Sequence, residues 1–355
     1  MESNYDLGYP IVVAPLSALP TFAVELERPA LLLSDAKPAV TAIARAASKM
    51  LGRAPVLPLP LGERRKRLAT VERVLDAMAA NGVERGALVV GVGGGVASDL
   101  FGFACATYMR GIRYAHIATS LVAMVDAAIG AKTGVNLRAG KNLVGSFRDP
   151  AGIFCDVTAL RTLSRSAVRE GMSEIVKAAV IEGGDFFALL EELSGDPFAR
   201  WPWERVIAGA INVKTTIVSD DRLESGRRET LNLGHTFAHA IERASNFKVP
   251  HGAAVALGLR AAGLLALQTG RFSRDEHLRV LTLLALFGLP LETSIESGDI
   301  LAAMRHDKKR RSGRLRFTLP RAIGDVEYGV EVPAGSVRVV LRRLREPPEP
   351  LRARR

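Results

Sequence analysis

Residues 231–242 read LNLGHTFAHAIE and place His235 and His239 four positions apart. On a helix that spacing puts both imidazoles on one face, a turn apart. His251 follows in the run Val249-Pro250-His251-Gly252, so three of the chain's six histidines fall within seventeen positions. Imidazoles grouped in this way suit metal ligation or proton transfer, although a hydrogen-bonded polar face has the same spacing. The neighbouring residues favour chemistry. Glu174 and Lys177 share another helical stretch, and Arg227, Arg228 and Asn232 lie just before His235. On spacing alone Glu174 and Lys177 also fit an ordinary helix ion pair. Gly234 lets the backbone come close to a neighbour there.

A second group of residues could hold a phosphate. Ala87-Leu88-Val89-Val90 reads as a buried strand, and it runs into Gly91-Val92-Gly93-Gly94-Gly95 and then a helical pattern. A strand, glycines and a helix start bring backbone amides against a phosphate. The run is not the spaced dinucleotide fingerprint, and a tight turn has the same composition; Asp99 would hold the loop or a ribose. Lys132, Asn136, Lys141 and Asn142 fall within eleven positions that read as a loop. Apolar flanks at Ala127-Ala128-Ile129 and Leu143-Val144-Gly145 shelter these groups, which suit anions and hydroxyls. Asp126 either joins them or caps the turn before Gly130.

The elements that must position these groups divide into two halves. Strand-like runs at Tyr9–Val13, Ala30–Leu33, Ala87–Val90, Tyr114–Ala118 and Gly152–Val157 alternate with helical periods. Beyond 157, helical patterns dominate: 167–181, 186–193, 203–218, 231–244, 251–267 and 274–286. Strand signals return only at 314–319 and 326–332. The expectation is an α/β half over 1–157, a mainly helical half over 158–345, and a disordered proline- and arginine-rich tail over 346–355. Ligands favour the cleft between such halves.

Composition narrows the partners. The 355 residues are 48% hydrophobic, enough for two cores, and no apolar run reaches the eighteen residues of a membrane span. The N-terminus lacks a signal-peptide pattern. Cys105 and Cys155 lie in apolar surroundings and suggest buried thiols in a reducing compartment. The net charge of +11 suggests nucleic acid, but no basic run is interleaved with aromatics. An anionic small substrate explains focused positive charge equally well.

The runs GGGVASDLFGF, TYMRGI, VDAAIGAKTGVN, GKNLVGSF, EGMSEIVK and LNLGHTFAHAIE, with the later His251-Gly252, closely resemble the 3-dehydroquinate synthases of the sugar phosphate cyclase superfamily. The resemblance holds in order and spacing from about residue 60 to residue 330. It implies an α/β Rossmann-like N-terminal domain binding NAD and a mainly α-helical C-terminal domain, the dehydroquinate synthase-like fold, holding one divalent metal ion, zinc or cobalt. By position, the metal ligands would be Glu174, His235 and His251, and His239 becomes a catalytic neighbour. NAD would meet Gly62, Glu63, Lys66, Gly94, Gly95, Val96, Ala97, Ser98, Asp99, Thr119, Ser120, Lys132, Lys141 and the segment Ala159, Leu160, Arg161 and Thr162. The substrate would meet Asp126, Lys132, Asn142, Lys177, Lys214, Arg228, Asn232, His239, Lys308 and Lys309, with Arg110 reaching its phosphate across a homodimer interface.

The activity implied is conversion of the shikimate-pathway heptulosonate phosphate to 3-dehydroquinate and phosphate by a cytoplasmic enzyme, with no nucleic-acid or membrane partner. The rival readings are a sister cyclase of the 2-deoxy-scyllo-inosose or epi-valiolone type, a metal-dependent polyol dehydrogenase, and a binding protein without turnover. Several departures from the family pattern stand out, among them Leu61 where an acidic or small residue often precedes Gly62-Glu63. Ala127, Ala128 and Ala131 replace two serines and a glycine before Lys132, and Ala253 replaces a glutamate after His251-Gly252. The last would weaken support of a metal ligand. Ser98 also replaces a glycine of the phosphate loop.

Overall fold

The structure, a computed structural model, describes residues 2–3, 7–23, 28–196, 198–304 and 315–348. The chain forms two compact units, Met1–Val168 with Pro202–Ser219, and Arg169–Trp201 with Asp220–Arg355. The chain therefore crosses between units more than once, and residues 202–219, expected in the helical half, belong with the first. Lys308, Lys309 and most of the tail expected to be disordered lie outside the described residues.

Among the described residues the first unit has nine strands: β1 (Glu2–Ser3), β2 (Ile11–Ala14), β3 (Leu31–Asp35), β4 (Val56–Leu59), β5 (Leu88–Gly93), β6 (Arg113–Ala118), β7 (Lys132–Leu137), β8 (Gly140–Phe147) and β9 (Gly152–Asp156). Seven of them form one sheet in the order β1-β2-β9-β6-β5-β3-β4, parallel except for β1. Alternation along β3 explains why both faces are covered. Leu31 and Leu33 pack with Val74 and Met78 of one helix and Leu100 and Phe101 of another, whereas Leu32 packs oppositely with Ala44 and Ala47. These layers are α1 (Leu19–Ala23), α2 (Pro38–Met50), α3 (Leu68–Ala80) and α4 (Gly95–Thr107). The chain leaves β3 towards β4 but leaves β5 towards β6. The strand order thus reverses between β3 and β5, which opens a crevice at their carboxyl ends.

The segment 132–142, expected to be a loop, is instead an antiparallel hairpin of β7 and β8. Glycines let it close tightly. A Cβ on Gly145 would sit 2.2 Å from Thr133 O, and one on Gly102 of α4 would sit 2.5 Å from Thr133 Cγ2.

In the second unit, helices α5 (Arg165–Glu182), α6 (Gly184–Leu193), α7 (Trp203–Asp220, chiefly in the first unit), α8 (His235–Ala244), α9 (His251–Gln268), α10 (Arg274–Leu286), α11 (Ser297–Met304) and α12 (Ala334–Arg343) accompany one hairpin, β10 (Arg316–Ala322) with β11 (Asp325–Glu331). The expected continuous helix from 231 is broken: a 3-10 turn covers Arg227–Asn232, and left-handed Gly234 (φ 77°) starts α8. Helix α9 reaches the length and mean hydropathy of a membrane span, although Arg260 interrupts its apolar run, and 78% of it is buried inside the fold. A helix apolar on every side is the mark of a core helix.

Candidate active site and metal centre

Two glycine contacts bring three chemical groups together in the second unit. A Cβ on Gly252 would lie 2.2 Å from Glu170 Cα, so the start of α9 abuts the backbone of α5 one turn before Glu174. A Cβ on Gly258 would lie 2.2 Å from Gly234 O, so α9 also touches the chain entering α8. Only residues without a side chain allow both approaches. The result is that ligand atoms of Glu174, His235 and His251 all lie within 4.8 Å of one another. His251 Nε2 is 3.1 Å and His235 Nε2 3.6 Å from Glu174 Oε1. His239, a turn further along α8, stacks edge-on against His235 with centroids 5.4 Å apart, and it is exposed.

Lys177 Nζ lies 2.6 Å from Glu174 Oε2, and the two side chains are 5% and 1% exposed. The helix ion pair allowed by the spacing exists, but it is buried rather than solvated. Burial opposes the Glu174 charge. Lys177 first, then both imidazoles, outweigh it and hold the carboxyl well below the usual carboxylate range. For His251 burial opposes the charge, yet hydrogen bonds to Glu174 and Glu242 push its value up to about 10.

One buried carboxylate, one buried imidazole and one half-buried imidazole converge, fit a divalent cation and leave coordination positions for other ligands. In metal-free protein the His251 proton takes the cation's electrostatic place. A value raised on folding contributes stability that is complete below the ordinary 6.5 and lost as the pH rises through about 10. Chelator-treated protein is therefore expected to melt at progressively lower temperature from pH 6.5 to pH 10, with a flatter slope for His251→Gln. Equal slopes for the two proteins would contradict this.

Before α8, the loop that holds the arginines is built around Asp221, a role no sequence pattern announces. Its carboxylate accepts from the N–H groups of Ser225 (2.9 Å), Gly226 (2.7 Å) and Arg228 (3.0 Å). The Ser225 N–H above all holds it down at about 2. Arg228 is 2% exposed and donates to Arg222 O at 2.6 Å, whereas neighbouring Arg227 is exposed and pairs with Asp220. Asn232 donates to Glu224 Oε1 at 3.0 Å.

In the first unit the glycine run ends β5, and Gly94 caps α4 beside the crevice between β3 and β5. Cβ atoms on Gly94 and Gly95 would meet Ser120 Oγ at 2.9 Å and Ala127 Cβ at 3.0 Å. Ser98 fits the place of a glycine by turning its hydroxyl back to Gly94 O at 3.3 Å. Beside this turn lies a polar network. Lys66, 4% exposed, donates to Asp99 Oδ2 and, at 2.6 Å, to Asn142 Oδ1. Asn136 donates to Glu63 Oε1 at 2.8 Å and accepts from the Asn142 N–H at 2.8 Å, and Lys141 lies 3.6 Å from Glu63. Thr119 is buried, its N–H bonded to Gly93 O. Ala159–Thr162 forms part of a 3-10 turn capped by Asp156.

Asp126 sits in a π-turn, Ala123–Ala127, and Lys214 of α7 donates to its backbone O and Oδ1, both at 2.5 Å. Lys132 is exposed at the start of β7, and exposed Arg110 has left-handed backbone (φ 69°). Ala131, Asn142 and Glu224 are also left-handed, at φ 63°, 50° and 58°. Such backbone strain gathers at functional sites. Ala131→Gly, the change towards the family pattern, is expected to stabilise the fold by about 1 kcal/mol. Thermal denaturation should show a rise of a few degrees, and a fall would refute it.

A glycine turn at the strand-order reversal in one unit and a carboxylate with two imidazoles in the other define a metal- and dinucleotide-type α/β-plus-helical enzyme class. Residues 56–170 match the 3-dehydroquinate synthase N-terminal family and residues 171–310 the corresponding C-terminal family. The chain belongs to the 3-dehydroquinate synthase family. It is 43% identical over 294 residues to the 3-dehydroquinate synthase of Gloeobacter violaceus, covering 81% of each chain. Among solved structures, it resembles a 2-epi-5-epi-valiolone synthase from Streptomyces hygroscopicus subsp. jinggangensis with NAD+ and Zn2+ bound (TM-score 0.86, 30% identity, covering 97% of this chain and 98% of that one). A 2-deoxy-scyllo-inosose synthase with carbaglucose-6-phosphate, NAD+ and Co2+ is similar at TM-score 0.86 and 25% identity, covering 97% and 99%.

Proposed function

We propose that this protein is a carbon–oxygen lyase that converts 3-deoxy-D-arabino-heptulosonate 7-phosphate to 3-dehydroquinate and phosphate in the shikimate pathway. The observation that carries the reading is the meeting of Glu174, His235 and His251 in a chain of this family. These three would hold zinc or cobalt, and the glycine turn with its Lys66–Asp99–Asn142 network would hold NAD. When bound, NAD supplies a hydride acceptor that is restored each cycle, and the metal acidifies a substrate hydroxyl.

The remaining work belongs to the chain. Lys177 balances Glu174 and supplies a cation for the phosphate, with Lys132 and, from the partner protomer of a homodimer, Arg110. Arg228 suits the substrate carboxylate because a guanidinium grips it through two parallel hydrogen bonds. The loop anchored by Asp221 fixes where that arginine lies. Lys214 and Asp126 position hydroxyls, and His239, exposed one turn along α8 from His235, moves protons. The first unit, chiefly residues 1–157, is the dinucleotide half, and the second, within 158–345, is the metal half. The enzyme acts in the cytoplasm, without nucleic-acid or membrane partners.

A sister cyclase activity is the second reading, favoured by the likeness to the valiolone and scyllo-inosose synthases. Their substrates lack the carboxylate that Arg228 would hold. The test is purified protein with NAD and zinc, given the heptulosonate phosphate, sedoheptulose 7-phosphate or glucose 6-phosphate. Phosphate and dehydroquinate appearing together from the first alone is expected. Phosphate from either of the others, with none from the heptulosonate, would move the assignment to the sister enzymes.

A further inference from the structure

His251 touches two carboxylates. Its Nε2 lies 3.1 Å from Glu174 Oε1, and its Nδ1 lies 3.4 Å from Glu242 Oε1 on the opposite side of the ring. We propose that Glu242 is a positioning residue: it accepts the Nδ1 proton of His251 and so keeps the Nε2 lone pair aimed at the cation. The proposal rests on the reading of Glu174, His235 and His251 as the metal site and extends it to a residue outside that set.

Three observations support it. First, Glu242 stands seven residues after His235, two turns along the same face of α8, and is 2% exposed. A buried carboxylate is costly unless it has a partner. In the last turn of a helix it also faces the negative end of the macrodipole. Local helix formation therefore gives no reason for a glutamate here. Second, the other imidazole is pinned in the same manner by a different group, since His235 Nδ1 lies 3.2 Å from Leu233 O. Each ring is thus held at Nδ1 and presents Nε2 towards Glu174. Third, the sequence departure at Ala253 is relieved. His251 begins α9, so residue 253 points away from the His251 ring, as positions two apart on a helix do. Glu242 supplies the carboxylate from a different helix. Carboxylate partners of ligating histidines fix the tautomer and raise ligand basicity.

A plainer role for Glu242 is a counter-charge to the amino end of α9. Metal affinity separates the two. The test is the Zn2+ dissociation constant of full-length protein, by competition with a chromophoric chelator, for wild type, Glu242→Gln, Glu242→Leu and His251→Ala. Metal-free melting temperature and the visible spectrum of the Co2+ form are read alongside. Removing such a partner typically weakens metal binding about 10- to 100-fold. Glu242→Leu is expected near the upper end of that range with a shifted Co2+ spectrum. Glu242→Gln, which keeps the accepting oxygen and loses only the charge, is expected near the lower end. It also covers the case in which the leucine variant does not fold. Wild-type affinity in Glu242→Gln, with only the metal-free melting temperature lowered, would overturn the proposal. Wild-type affinity in His251→Ala would instead overturn the metal assignment itself.

Discussion

Replacing His235 by alanine is expected to lower kcat/KM for phosphate release by on the order of 1,000-fold and to weaken Zn2+ binding in the same protein. His235 is 8% exposed, and its ring is held from behind by Leu233 O. Loss of a cation's stabilisation of developing charge is worth several kcal/mol, which sets the size of the rate effect. His239→Ala is the informative contrast. His239 is exposed and outside the three convergent groups, so that variant should keep wild-type Zn2+ affinity while losing turnover. Phosphate release and chelator competition on both variants test the pair. Wild-type Zn2+ affinity in His235→Ala would contradict the assignment.

The second large effect concerns stability. Lys177→Met removes the ammonium 2.6 Å from a carboxylate that is 1% exposed. Breaking a buried pair by removing one partner costs about 3–5 kcal/mol, because the other charge is left without compensation. The protonated His251 beside Glu174 offsets part of this, so about 3 kcal/mol is expected for chelator-treated protein. A bound divalent cation would compensate Glu174 directly, so the deficit should shrink when zinc is in excess. Denaturant titrations with and without zinc measure both numbers. The double variant Glu174→Gln, Lys177→Met should recover much of the loss. A deficit that is equal in both conditions would show that the lysine serves packing rather than charge.

The sequence made some of this legible and hid the rest for definable reasons. The strands β3, β5, β6 and β9 could be read because a parallel sheet covered on both faces needs unbroken apolar runs. The hairpin of β7 and β8 could not, since its lysines, asparagines and glycines carry none of the apolar alternation of a half-buried strand. Periodicity continues through Leu233-Gly234, so only the left-handed backbone of Gly234 marks the break before α8. Helical spacing also says nothing of which neighbour a helix packs on, and α7 accordingly changed units. At the site, spacing grouped the histidines, but the family resemblance, not spacing, singled out Glu174, His235 and His251, the groups that converge. Asp221 acts on backbone N–H groups, and Glu242 looks like any solvated glutamate in a helix, so neither left a signature in one sequence.

The three groups come from α5, α8 and α9, with 60 residues between Glu174 and His235 and 15 between His235 and His251. A cation can hold all of them only after the three helices have docked. Interactions absent from the transition state slow unfolding and leave the folding rate nearly unchanged. Zinc should accordingly act as a latch: it would lengthen the lifetime of a finished molecule without hastening its assembly, and refolding traces with and without the ion would overlay while the unfolding limbs diverge.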